Sequence, residues 1–538
     1  MVTFSKKYLF KLLGYSLNDE QVAEYVQKLG FSLEGVSSED FSIDITPNRP
    51  DLLDIVGFAR TLKNFMHRSS KYTYKIKDDG PVLTINVGKT IEKVRPFISA
   101  LVVKNLSLDE PTLRYIIDFS EKFSETFGRK RAKLAMGIHD LSAISGDLSY
   151  DAKMEGRFTP LNMDKEMDFK EIMKYNDKGI AYAHTIRGVL YPVLSDSRGI
   201  LSLIPIINSN RTKVTTKTKD IFVDITGTSQ YITEKTADIF AAMFMDLGGE
   251  VKKVKIKYGK KAVLSPAMES ATIEIPLSQI QESIGITSIG FNNILSLANK
   301  MGYAASFVNK KIRFNVPVYR IDVINEQDII EDIAIAYGYD YIQQTPILSS
   351  AIGRLEDTTK RNKKLSQAMI GLGFSEALNN YFTTENTNFK LMNVEEIPHI
   401  QVKEAKTQNI TMMRTWLLPS LLSNLGSSVH EKMPQKLFEL DMVFNLKKDI
   451  PVESYNLAGV FASSRVNFND SKSIVEAVAQ SLGSNYKLQP LTHNSFIKGR
   501  CAQITFSNGI SGVFGEISPQ VLSNFGIEEP TIAFEFEL

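Results

Sequence analysis

The chain has 538 residues, 43% hydrophobic and 23% charged, the balance of an ordinary soluble globular protein. Its 63 Lys and Arg against 61 Asp and Glu leave a net charge of +2, which excludes a polybasic, histone-like binder but not local basic patches. The single cysteine, Cys501, excludes an internal disulfide and a cysteine-built zinc site, and six histidines argue against a His-rich metalloenzyme.

A chain of this length calls for about three to five domains. Its cysteine usage fits a reducing, cytoplasmic compartment. The longest apolar runs, such as Gly199 to Ile207, fall far short of a membrane span, and the first twenty residues carry no signal-peptide core.

Residues 1–35 read as two amphipathic helices, one ending at Gly14 and one at Gly30. A strand, Phe41 to Ile45, follows and breaks at Pro47-Asn-Arg49-Pro-Asp51. Asp51 is then placed to cap a helix from Leu52 to about Phe65. Residues 72–88 read as strand. Pro96 to Leu106, Leu201 to Ile207 and Ile221 to Ile225 are strand candidates, and Thr112 to Phe127 is a helix candidate. Lys252 to Lys261 holds six lysines in ten positions and reads as an exposed edge strand and linker.

Residues 272–340 repeat the N-terminal logic. Gly285 and Gly302 lie 17 residues apart, against 16 for Gly14 and Gly30, and a strand at Ile312 to Val316 leads to Pro317, Arg320 and Asp322. Pro47-x-Arg49-x-Asp51 matches Pro317-x-x-Arg320-x-Asp322 with one insertion. We read an internal duplication of a small helix–helix–strand–helix unit. A basic helix near Thr358 to Leu365 opens the remainder, an antiparallel sheet with flanking helices.

The phosphate-loop, H-E-x-x-H and G-x-S-x-G signatures are absent. Cys501 lies near His493 in sequence, but its strand-like surroundings favour a buried structural thiol. Asp322, Asp328, Glu331 and Asp332 form the densest carboxylate group. Positions 328, 331 and 332 share one helical face, and four hard oxygen donors suit Mg²⁺. The same residues also read as a capping-box-like pair, with acids favoured by the helix dipole. Asn208, in Pro205-Ile-Ile-Asn208, and Asp224-Ile-Thr226-Gly-Thr228 bring amide, carboxylate and hydroxyl groups to two strand ends. They read as a small polar ligand site or as a plain pair of capped turns. His139 and His184 read as satisfied structural histidines. Four basic clusters stand at Arg129 to Lys133, Arg211 to Lys219, Lys252 to Lys261 and Lys360 to Lys364. Each alone is an ordinary solvated face; together they suit the phosphates of an RNA.

At Ile45-Thr-Pro-Asn-Arg-Pro-Asp51 through Arg60, and from Tyr319 to Asp340, the sequence resembles the β subunit of phenylalanine–tRNA ligase, archaeal and eukaryotic type. Gly137-Ile-His-Asp140, Pro205 to Asn208, Arg414 to Leu422, Lys436 to Leu440, Gly499-Arg500 and Gly515 to Pro519 continue the likeness in family order. The resemblance implies a multidomain α+β fold with duplicated helical, DNA-binding-like modules at 1–80 and 268–345. Between them it implies an α/β editing domain at 85–260. A class II synthetase-like domain without catalytic residues follows at 350–538. No arginine follows Gly512-Val-Phe-Gly515-Glu516, and Thr415 and Trp416 replace the acid expected beside Arg414. It further implies an α partner in an α₂β₂ tetramer, ATP used through that α subunit, tRNA(Phe) as ligand and Mg²⁺ on the four carboxylates. Editing of misacylated Tyr-tRNA would fall to Asn208, Asp224, Thr226 and Thr228. Family members usually carry glutamate where this chain has Asp224. The competing expectations are a free-standing tRNA-deacylating hydrolase and a non-enzymatic RNA-binding scaffold.

Overall fold

The computed structural model describes residues 1–66, 73–344, 346, 351–405, 407, 410–507 and 509–538. The parts of the expected domains and strands that fall on other residues lie outside the described residues. The chain divides into two compact units, 1–346 and 347–538.

The first unit holds the duplication. In residues 2–65 the order is strand Val2–Ser5, helices Lys6–Leu13 and Asp19–Lys28, strands Ser32–Val36 and Asp40–Asp44, and helix Ile55–Phe65. In residues 272–337 it is strand Thr272–Pro276, helices Leu277–Ile284 and Phe291–Lys300, strands Ala304–Val308 and Lys311–Asn315, and helix Glu326–Tyr337. Each copy pairs its first and second strands against its third, all antiparallel. The unit is thus strand–helix–helix–strand–strand–helix, two strands richer than the sequence reading. The leading strands are only four and five residues long, and the middle strands Ser32–Val36 and Ala304–Val308 bury no residue fully, so neither gives a clear periodic signal. Gly14 and Gly285 close the first helix of each copy in the left-handed region, at φ 85° and 80°.

The helix cap at Asp51 needs correction. A 3-10 turn at Pro50–Leu52 precedes the helix, and Asp54 caps it by accepting from the Gly57 N–H. Asp51 instead takes a bidentate bond from Arg49, at 3.0 and 2.9 Å.

Between the copies lies a ten-stranded sheet. Its order runs Ile207–Asn208, Gly199–Leu203, Tyr191–Asp196, Leu148–Lys153, Leu83–Val87, Glu250–Tyr258, Phe97–Lys104, Ile221–Gly227, Leu134–Asp140. Lys261–Ser265 adds to Glu250–Tyr258. The lysine-rich stretch is therefore an interior strand, not an edge or linker. Val251, Val254 and Ile256 are buried, while the lysines between them stay half exposed along their aliphatic stems. Helix Gln230–Asp246 packs on strands Phe97–Lys104 and Ile221–Gly227, stacking Phe240 on Phe119 at 4.5 Å.

The second unit is a seven-stranded sheet in the order Ser375–Glu376, Gln435–Lys447, Ile450–Ala462, Thr531–Glu537, Ser511–Ile517, Phe496–Phe506, Tyr486–Pro490. Only the first pair is parallel. Helix Phe468–Leu482 covers one face and Leu418–Ser427 contributes to a second core cluster. Cys501 belongs to that cluster, and burial pushes its thiol up to about 11, so it is an inert packing residue. No helix among the described residues is long and apolar enough to cross a membrane.

Candidate functional site

A cavity of about 700 Å³ opens in the first unit over the middle of strands Leu134–Asp140 and Ile221–Gly227 and beside Ile207–Asn208. Asp224 and Thr226 are two residues apart on one strand, so the pleat turns both to the same face. Asp224 lies opposite Gly137 in the antiparallel register. A Cβ at Gly137 would fall 2.5 Å from Asp224 Oδ1, 2.8 Å from His139 Nε2 and 3.1 Å from Asn208 Oδ1. Three polar atoms therefore converge on the space that glycine leaves open.

Asp224 is 1% exposed. Its Oδ1 meets His139 Nε2 at 2.9 Å, and His139 Nδ1 meets Thr212 Oγ1 at 2.8 Å. This chain fixes the carboxylate's orientation: with Nε2–H donating to Asp224, Nδ1 accepts from the Thr212 hydroxyl. Two residues further along the same strand, Thr226 accepts from buried Arg95 at Oγ1, 3.0 Å, and at its carbonyl, 2.8 Å. Burial pulls the Arg95 guanidinium down to about 10, so it stays cationic at neutral pH. Arg131 donates to the carbonyls of Pro205 and Ile206, at 3.0 and 2.9 Å, and so anchors the segment that presents Asn208. The result is a buried carboxylate, an amide and a hydroxyl on the floor of a mixed polar and apolar cavity. Such a floor has the chemistry to accept a hydrogen bond from a small polar group.

Asn208, Asp224 and Thr226 are thus brought together. Thr228 is not: it lies past the end of the strand, exposed and outside the cavity, where its N–H bonds the Lys133 carbonyl. Including it among the site residues needs correction, because Gly227 ends the strand and breaks the alternation that Asp224 and Thr226 share. Sequence reasoning left out His139, Thr212, Arg95 and Gly137. His139 had one available signal, its place in Gly137-Ile-His139 opposite the Asp224 strand, but that pairing spans 85 residues.

The four carboxylates of the second module have the hard-oxygen chemistry for Mg²⁺, and three of them already have partners within the protein. Asp322 takes a bidentate bond from Arg320, at 2.9 and 2.8 Å. Asp332 pairs with the same guanidinium at 2.7 Å and accepts from the Tyr303 hydroxyl. Asp328 caps its helix by accepting from the Ile324 and Asn325 N–H groups, and Glu331 faces solvent. Among the described residues no group of three or more Asp, Glu, His or Cys is arranged to hold a metal ion. Burial opposes ionisation of Asp322, yet the Arg320 charge and hydrogen bonds, then Arg49, hold it below the usual carboxylate range.

In the second unit Arg414 is 1% exposed and pairs with Glu439 at 2.6 Å and Asp441 at 3.2 Å. Its guanidinium is thus committed to carboxylates of its own domain.

Three family descriptions match this chain. "B3/4 domain" covers residues 80–242, "tRNA synthetase B5 domain" covers 273–339, and "Phenylalanyl tRNA synthetase beta chain CLM domain" covers 342–538. The phenylalanine–tRNA ligase beta subunit of Methanocaldococcus jannaschii is 33% identical over 550 residues, covering 100% of this chain and 99% of the relative. That of Archaeoglobus fulgidus is 32% identical, covering 100% and 98%. A crystal structure of an N-terminal fragment of the phenylalanyl-tRNA synthetase beta subunit from Pyrococcus horikoshii is similar at TM-score 0.60 and 31% identity. It covers 63% of this chain and 99% of that one. Together these define the class, an aminoacyl-tRNA synthetase subunit and so part of a ligase. Within that class, the chain belongs to the phenylalanine–tRNA ligase beta subunit family.

Proposed function

We propose that this chain pairs with a phenylalanine–tRNA ligase α subunit in an α₂β₂ assembly, leaves ATP chemistry to that partner, and hydrolyses Tyr-tRNA(Phe) in the cavity above Gly137. Water adds to the ester carbonyl, the acyl–oxygen bond breaks, and tyrosine and the tRNA 3′-terminal hydroxyl leave. The observation that carries this reading is Asp224, a buried carboxylate aimed at open space and held by His139. A tyrosine hydroxyl donates to it; phenylalanine offers no donor and leaves the carboxylate desolvated with His139 as its side-chain partner. That asymmetry supplies discrimination that an apolar pocket alone lacks. Asn208 and Thr226, on the same floor, are assigned to help hold the tyrosine hydroxyl and position water. The full-length match to ligase subunits disfavours the free-standing hydrolase and the non-enzymatic scaffold.

In the assembled enzyme, Asp224→Ala should let Tyr-tRNA accumulate, with deacylation falling about 100-fold or more, the loss of one buried hydrogen-bonded ionic contact. Phe-tRNA synthesis should be unchanged. Unaltered deacylation by Asp224→Ala would remove the residue from the mechanism. The Mg²⁺ assignment to Asp322, Asp328, Glu331 and Asp332 also remains a proposal, supported by the family resemblance and the oxygen donor set alone.

A further inference from the structure

We propose that the turn Gly128–Lys133 is a docking clamp for the phosphodiester backbone of a single-stranded RNA 3′ end entering the cavity. This inference rests on the editing reading and names the surface that would deliver its substrate.

Arg129, Lys130 and Arg131 are three consecutive non-glycine residues in the left-handed region, at φ 50°, 51° and 64°. L-residues adopt that region at a cost and rarely in sequence. Two other such runs, Asn309-Lys310 and Lys448-Asp449, are two-residue hairpin turns, where positive φ matches the strand twist. Residues 129–131 join a helix to a strand, where no such requirement exists. The turn is held by backbone bonds from Lys130 to the Glu125 carbonyl, Arg131 to Ser124 and Lys133 to Gly128.

The strained conformation divides the three cations. Arg131 is turned inward, lining the cavity and holding the Pro205 and Ile206 carbonyls, with its guanidinium 4.1 Å from the Tyr182 ring centroid. Arg129 and Lys130, the two residues before this cavity-lining arginine, are turned outward. Both are exposed, and among the described residues neither side chain has a hydrogen-bond or ion-pair partner. Lys213, exposed and lining the cavity, adds a further cation. The nearby carboxylate Glu121 is already neutralised by Arg131 and Lys178. Unpaired cations adjoining a cavity-lining arginine suit phosphates, and the strain that holds them is stored where a ligand would repay it.

The test uses the assembled enzyme carrying Arg129→Gly with Lys130→Gly, and separately Arg129→Gln with Lys130→Gln. Two substrates are compared: full-length Tyr-tRNA(Phe), and 2′(3′)-O-tyrosyl adenosine, which has no phosphates. Both variants should raise KM for Tyr-tRNA about tenfold with kcat unchanged, and should flatten the salt dependence of log KM by about 1.4, as two lost single-strand phosphate contacts would. Hydrolysis of tyrosyl adenosine should be unaffected. The glycine variant should melt no lower than the parent, because glycine relieves the left-handed strain. Unchanged KM and salt dependence for Tyr-tRNA in both variants would overturn the clamp. A parent that hydrolyses neither substrate would contradict the editing reading instead. The clamp would then be judged by binding of a short single-stranded RNA ending in CCA, which both variants should weaken and which unchanged binding would refute.

Discussion

In residues 2–65 a buried aspartate, Asp51, lies between two arginines: Arg49 in bidentate contact and Arg60 at 3.9 Å. In residues 272–337 a buried arginine, Arg320, lies between two aspartates, Asp322 and Asp332. The scaffolds are otherwise alike, down to the Arg-x-Asp pair that each places after its third strand. Aligned on their helix N-caps, Asp54 and Asn325, the two helices set Gly57 against Asp328, Arg60 against Glu331 and Thr61 against Asp332. The second copy has acids where the first has glycine, a cation and a hydroxyl. The two centres also meet: the Arg60 guanidinium lies 3.7 Å from the ring centroid of Tyr319, next to Arg320, and pairs with Asp246 at 2.7 Å. Asp322, before the second helix, and Asp332, within it, are thus the counter-charge of Arg320, a role that carboxylate spacing alone does not reveal.

The largest break in this comparison should come from Arg320→Met. It leaves Asp322 and Asp332 buried without their cation and should cost roughly 3–5 kcal/mol in urea unfolding. Arg49→Met should cost less, roughly 2 kcal/mol, because Asp51 keeps Arg60. Equal losses would show that the two centres are not organised by opposite charges. A smaller effect separates the two caps. Burial pushes Asp54 up to about 7, against the hydrogen bonds of the Gly57 and Val56 N–H groups, whereas Asn325 has no charge to lose. A carboxyl with a folded pKa above its unfolded value of about 3.8 binds more protons when folded, so stability falls as pH rises from about 4 through 7. Asp54→Asn should therefore flatten the fall in melting temperature between pH 5 and 8, gaining on the order of 1–2 kcal/mol at pH 8 relative to pH 5. A parallel pH profile in mutant and parent would place the titration elsewhere. The smallest effect concerns Mg²⁺. With Arg320 already neutralising two of the four carboxylates, an ion should add only about 1 kcal/mol. Melting should be slightly higher in millimolar Mg²⁺ than in EDTA, and Asp328→Asn with Glu331→Gln should remove the difference. Identical melting of the parent in both would leave Arg320 as the cluster's counter-charge and withdraw the metal.

The duplication was readable because its punctuation is local: paired glycines, a strand and an Arg-x-Asp turn recur at matching intervals. The strand at Glu250–Tyr258 was misread because lysine density suggested an edge, although the buried Val251, Val254 and Ile256 carried the deciding alternation. Asp224 and Asn208 were visible as polar residues near turn signals, although Asp224 lies in the middle of its strand rather than at the end. Their partners were not, since Arg95, His139 and Thr212 reach them only through strand pairing and loop closure across the fold. Thr228 was included by proximity in sequence, and the end of the strand at Gly227 removes it. Strain at residues 129–131 leaves no mark in a basic cluster that reads as an ordinary solvated surface.

The central claim is that Asp224 reads the tyrosine hydroxyl. The most direct measurement is the ratio of single-turnover deacylation rates for Tyr-tRNA(Phe) and Phe-tRNA(Phe) by the assembled enzyme, parent against Asp224→Asn. Asparagine keeps the shape but replaces a charged acceptor with a neutral one, so the ratio should collapse by about tenfold or more, through the Tyr-tRNA rate. An unchanged ratio in Asp224→Asn, or a parent that deacylates both tRNAs equally, would contradict the account.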